Sequence, residues 1–177
     1  MKKTNVMRVL EAHGIPYGQY EYDGSDNMID GVTVARMIGK EPERVFKTLV
    51  AVSKNRAYYV FVLPVGRELD LKKAARAVGE KSVELIPVKQ IEPATGYIKG
   101  GCSPIGMKKQ FVTVLDETAL LYDNIIFNGG KAGAQVEVDP NAIENVMPVK
   151  TKAHALSHLM QTRPDMLLSL KRQLLGL

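Results

Sequence analysis

Two apolar runs flanking a short polar turn constrain this chain most. Residues 45–52 and 58–63 are dominated by valine, leucine, phenylalanine and tyrosine, and Ser53-Lys54-Asn55-Arg56 lies between them. Runs of that length and composition around a polar turn predict a β-hairpin. Alternation places Val45, Lys47, Leu49 and Ala51 on one face of the first strand, and Phe46, Thr48, Val50 and Val52 on the other. Neither row is polar enough to face water. Lys47 therefore interrupts an apolar row.

The remaining segments decide the fold class. Thr4 caps a helix carrying Val6, Met7, Val9 and Leu10 as an apolar stripe, and His13-Gly14 ends it. An extended segment follows from Ile15 to Tyr22. Residues 33–38 and 69–78 read as helices stopped by Gly39 and Gly79. Residues 83–86, 111–115, 124–127 and 135–138 read as strands, 88–91 as one helical turn and 140–146 as helical. From Lys150 onward the chain reads as strand-free. Leu156, Leu159 and Met160, then Met166, Leu167, Leu170 and Leu174, predict two C-terminal helices broken near Pro164. Strands and helices interleave irregularly, which predicts a mixed-sheet α/β (α+β) domain rather than a doubly wound parallel sheet.

Composition narrows the setting. At 177 residues the chain is about one domain, and 45% hydrophobic with 24% charged residues excludes a disordered chain. The excess of 24 Lys+Arg over 19 Asp+Glu permits a nucleic-acid partner without requiring one. Cys102 is the only cysteine, so no intramolecular disulfide forms and a reducing compartment is expected. The amphipathic start is unlike a signal peptide, and no window approaches ~18 consecutive apolar residues. A cytoplasmic protein is expected.

Each candidate for chemistry carries a plain alternative. Lys47 is either a guard on an edge strand, which alternation alone favours, or a group aimed into a pocket. Cys102 sits in a glycine-rich loop, but no histidine stands in a nucleophile pattern with it, so a packed side chain is the better reading. His154 and His158 are four apart on one helical face. Ala155 stands where an HExxH zinc motif needs glutamate. Gly100-Gly101 and Gly129-Gly130 are either turns or places where backbone N–H groups approach a ligand. No P-loop, GxGxxG or Gly-x-Ser-x-Gly elbow occurs, and no metal or cofactor is expected.

Four stretches in order, "FKTLV" at 46–50, "LDLKKAARAVG" at 69–79, "TGYIKGGCSPIGMKK" at 95–109 and "NGGKAG" at 128–133, resemble the YbaK/EbsC family. These are free-standing relatives of the editing domain inserted in bacterial prolyl-tRNA synthetase. The resemblance covers most of residues 1–148. It implies a strongly curved, half-barrel-like mixed sheet flanked by helices, with residues 149–177 as a helical extension. It implies trans-editing without a cofactor: deacylation of a mischarged tRNA, most typically Cys-tRNA(Pro), with prolyl-tRNA synthetase as a partner.

By the same resemblance, Lys47 is the catalytic lysine and Thr48 assists it. Tyr22, Gly100, Gly101, Ser103, Asn128, Gly129 and Gly130 are implied to hold the terminal adenosine and the aminoacyl ester. The family's site has no protein nucleophile. The substrate's own thiol attacks the ester and leaves as a thiolactone. Cys102 departs from the aliphatic residue common at its position. Two alternatives stay open: a deacylase of alanyl- or seryl-tRNA that uses water, and a non-catalytic tRNA- or synthetase-binding module.

Overall fold

The computed structural model describes residues 1–26, 29–147 and 149–151. The expected C-terminal helices, with His154 and His158, lie outside the described residues. Helix α1 (Asn5–Ala12) leads to strand β1 (Gly18–Glu21) and helix α2 (Gly31–Met37). The hairpin is present as β2 (Phe46–Ser53) and β3 (Tyr58–Pro64), followed by α3 (Leu71–Ala77), β4 (Val83–Leu85) and α4 (Val88–Thr95). Strands β5 (Val112–Leu115), β6 (Ile125–Asn128), β7 (Ala134–Val138) and β8 (Val149–Thr151) complete the order.

Local chemistry starts the first three helices. Thr4 Oγ1 accepts from the Met7 N–H at 3.2 Å, and α1 buries Val6, Met7 and Leu10, the stripe expected from sequence. Asp30 caps α2 by accepting from the Thr33 N–H, and Asp70 caps α3 by accepting from the Lys72 and Lys73 N–H groups. Each cap satisfies amide groups that the first helical turn leaves without partners.

The strands form two ladders. One has the order β1–β7–β6, all antiparallel. The other has the order β4–β2–β3–β5–β8, antiparallel on the β4 side and parallel from β3 to β8. Among the described residues, a parallel bridge between Val45 and Ile126 joins them. The mixed α+β class read from the sequence is the one observed. Two details differ. Residues 149–151 pair in parallel with β5, so the stretch from Lys150 is not strand-free at its start. Helix α4 continues through Pro93 to Thr95 instead of making one turn.

The largest apolar cluster lies between the two ladders, where Phe46, Val50, Val60 and Val62 meet Phe127, Val136 and Val138 over α1. On the opposite face of the larger sheet, α3 covers Ala51 and Phe61 through Ala74 and Ala75. A third cluster joins Ala35 of α2 with Val45 and Ile126. Alternation puts Lys47 on the face of Val45 and Ala51. It thus falls between the patch covered by α2 and the patch covered by α3. Among the described residues no helix is long and apolar enough to cross a membrane.

Candidate active site

Strand β2 is interior to its sheet only at its C-terminal end, and at Lys47 one side of the strand carries no ladder partner among the described residues. The strand pairs with β3 along Phe46–Val52 and with β4 at Ala51–Ser53, and Val45 just before it forms a parallel bridge to Ile126 of β6. Between those last two points no strand is registered against that side of β2 among the described residues. A cleft of about 170 Å³ opens there, and four consecutive residues, Val45, Phe46, Lys47 and Thr48, line it. Adjacent residues of a strand point to opposite faces, so the cleft wraps over the side of the strand rather than covering one face. That volume is small beside the roughly 300–1,000 Å³ of drug-sized pockets. It suits a small group rather than a drug-sized ligand.

Other parts of the chain wall the cleft. Tyr22, Gly24, Asp26 and Gly31 come from the β1–α2 segment, Gly100 and Cys102 from the glycine-rich loop, and Asn128 and Gln135 from β6 and β7. Asn128 ties two loops together: its Nδ2 donates to the Gly100 carbonyl at 2.8 Å, and its Oδ1 accepts from the Gly130 N–H at 2.7 Å. Gly101 lies against the Lys131 backbone so closely that an added Cβ would come within 2.9 Å of its Cα. The Tyr22 N–H donates to the Gly133 carbonyl, which fixes the third loop to the same point.

Of the residues singled out from sequence, the structure brings Tyr22, Lys47, Thr48, Gly100 and Asn128 to the cleft. Gly101, Ser103, Gly129 and Gly130 do not line it. Ser103 is fully buried and its Oγ accepts from the Ile105 N–H, which shapes the loop. Gly129 donates to the Ala134 carbonyl at the start of the β6–β7 turn. Gly130 adopts φ +99 against Val6 and Tyr97, a conformation that favours glycine. Gly24, Asp26 and Gln135 also line the cleft, and none of them stands in a motif. A buried glutamine inside an apolar strand was the one available signal among them.

The electrostatics distinguish the two reactive side chains. Burial pushes the Lys47 ammonium below the ordinary lysine value, and the Glu68 carboxylate partly opposes the shift. Burial pushes the Cys102 thiol up to about 11, with a Thr95 hydrogen bond acting weakly the other way. A thiol so protonated is a poor nucleophile at neutral pH. Cys102→Ala is therefore expected to keep turnover within about threefold of wild type. A loss near the ~10⁶ that follows removal of a true nucleophile would reverse that assignment.

Comparison with known proteins gives the arrangement a family. The aminoacyl-tRNA editing domain family matches residues 30–146. A protein of Enterococcus faecalis, "Putative Cys-tRNA(Pro)/Cys-tRNA(Cys) deacylase EbsC", is 50% identical over 142 residues, covering 80% of this chain and 87% of that protein. A solved structure described as "a putative trans-editing enzyme for prolyl tRNA synthetase" has a TM-score of 0.70 at 24% identity, over 84% of this chain and 92% of that one. Another, "hypothetical protein APE2540", has a TM-score of 0.75 at 20% identity, over 84% of this chain and 97% of that one. Both structural likenesses concern the fold alone. On the match to its domain and the identity to its EbsC member, this chain belongs to the aminoacyl-tRNA editing family, the YbaK/EbsC group of its sequence resemblance.

Proposed function

We propose that this protein is a trans-acting aminoacyl-tRNA deacylase that releases cysteine from mischarged Cys-tRNA(Pro), working alongside prolyl-tRNA synthetase. The observation that carries the reading is the placement of Lys47: a half-buried ammonium in a small cleft, in a chain half identical to an EbsC protein. The cleft takes the aminoacyl ester at the tRNA's 3′ end, with Lys47 directed at the ester.

The chemistry asks little of the protein. The substrate's cysteine sulfur attacks its own ester carbonyl carbon. The C–S bond closes a thiolactone, the C–O bond to the ribose breaks, and the thiol proton ends on the ribose oxygen. Negative charge builds on the carbonyl oxygen during attack, and a partly desolvated ammonium stabilises it more strongly than one in water. Substrates without the thiol cannot cyclise. That chemical filter matters because size selection alone is weak, about 1–3 kcal/mol per methylene.

The test is deacylation of a panel of Cys-, Ala- and Ser-tRNA(Pro) with product analysis. Thiolactone from the cysteinyl ester supports the reading. Release of alanine or serine at equal rates points to attack by water, and binding without release points to a tRNA-binding module.

The Lys47 environment adds a pH signature. If the ammonium form is active, kcat/KM falls on the alkaline side at a pH below 10.5, the ordinary lysine value, because burial has lowered the folded-state value. Glu68→Gln is expected to move that limb lower still, since the carboxylate favours the charged form. A limb unmoved by Glu68→Gln, read after subtracting spontaneous ester hydrolysis, would separate Lys47 from the rate. The sign for stability follows from the same shift. The buried ammonium costs stability while the unfolded chain holds its proton, and the cost fades as pH climbs through the folded-state value.

A further inference from the structure

Gln135 is 5% exposed, and its Oε1 is buried without a hydrogen-bond partner. Thr48 Oγ1 is in the same condition. Both residues line the cleft. Gln135 stands directly opposite Asn128 in the β6–β7 ladder, and directly opposed residues project to the same face. Two orphan oxygens on residues that line one small cleft call for explanation, because buried polar groups are nearly always paired.

We propose that Gln135 and Thr48 accept hydrogen bonds from the α-ammonium group of the aminoacyl substrate, so that the site demands a free amine. The inference rests on the deacylase reading and deepens it. The substrate's ester carbonyl only accepts hydrogen bonds, its thiol is a weak donor, and the ribose 2′-hydroxyl offers one proton. An ammonium offers three donors and no acceptor, as the lysine head group does. Charge agrees with that assignment. Asp26 is the one carboxylate lining the cleft among the described residues, while the Lys47 ammonium repels a second cation. The substrate is thereby oriented with its carbonyl toward Lys47 and its amine toward Gln135. An N-acylated aminoacyl ester loses the charge and two of the three donors, and it is rejected.

A non-hydrolysable 3′-cysteinylamido-adenosine and its N-acetyl derivative test this by calorimetry, independently of turnover. Wild type is expected to bind the free amine roughly 10²-fold more tightly, the scale of discrimination seen when a site's polar groups lose their partners. Gln135→Met and Thr48→Val are each expected to reduce that ratio about tenfold by weakening the free-amine ligand alone. Gln135→Met is further expected to hold or raise the Tm, because it removes an unpaired buried acceptor. Equal binding of both ligands by wild type, or an unchanged ratio in both variants, overturns the proposal. So does a lowered Tm in Gln135→Met, which would mean the amide serves the fold. Deacylase activity is read separately from turnover of Cys-tRNA(Pro), so failure of either idea is distinguishable from failure of the other.

Discussion

Lys47→Ala is expected to lower single-turnover deacylation of Cys-tRNA(Pro) by roughly 10²–10³, the usual cost of losing one donor to a developing oxyanion. The fold should survive the change. Lys47 lies between the apolar patches under α2 and α3 and belongs to neither, and its burial disfavours its own charge. Lys47→Met, which keeps the aliphatic stem and drops the ammonium, is expected to be as inactive as Lys47→Ala with a Tm no lower than wild type. Activity retained in Lys47→Met would show that the stem, not the charge, matters. Lys47→Arg is expected to recover only part of the rate, because the broader guanidinium does not reproduce a point charge in so small a cleft.

Gly24→Ala is expected to cost activity on a similar scale, although Gly24 carries no functional group. An added Cβ would lie 2.5 Å from the Gly133 nitrogen and 2.6 Å from the Ala132 carbonyl carbon. Both are backbone atoms, so one loop must move. Tyr22 on one side and the 128–133 turn on the other are tied to this contact, the former through the Gly133 carbonyl. A displacement of about 1 Å in a positioning element can cost on the order of 10²-fold in rate. The effect should appear chiefly in kcat/KM, with a smaller change in Tm, because the contact joins loops that belong to none of the apolar clusters. Wild-type kinetics in Gly24→Ala would show that the β1–α2 segment does not shape the cleft.

Much of the fold is legible in the residues because its signals are local. The turn at 53–56, the cap at Thr4 and the glycine stops at Gly39 and Gly79 each act within a few positions, and each falls where it was expected. The errors come from long range. Residues 149–151 carry no strand pattern of their own and become a strand only because β5 offers them an edge. Helix α4 runs through Pro93, a residue that reads locally as a stop.

The cleft divides in the same way. Lys47 was conspicuous as a charge in an apolar row, but alternation could not tell an edge from an interior strand. What sets Lys47 apart is that β4 stops at Ala51 and a cleft, not open solvent, lies beside the unpaired stretch. Gln135 reads in sequence as the first residue of a strand. Its meaning depends on lying opposite Asn128 and near Thr48, a juxtaposition that sequence spacing does not encode. Ser103 and Gly129 stand in glycine-rich strings, and the hydrogen bonds they make within those loops depend on a fold the string does not spell out.

The most direct measurement is the time course of cysteine release from Cys-tRNA(Pro) by purified protein, wild type beside Lys47→Met, with tRNA in large excess. Many turnovers by wild type, and a rate for Lys47→Met lower by about 10²-fold or more, is the result this account predicts. Stoichiometric binding without release by wild type, or equal turnover by the two proteins, would contradict it.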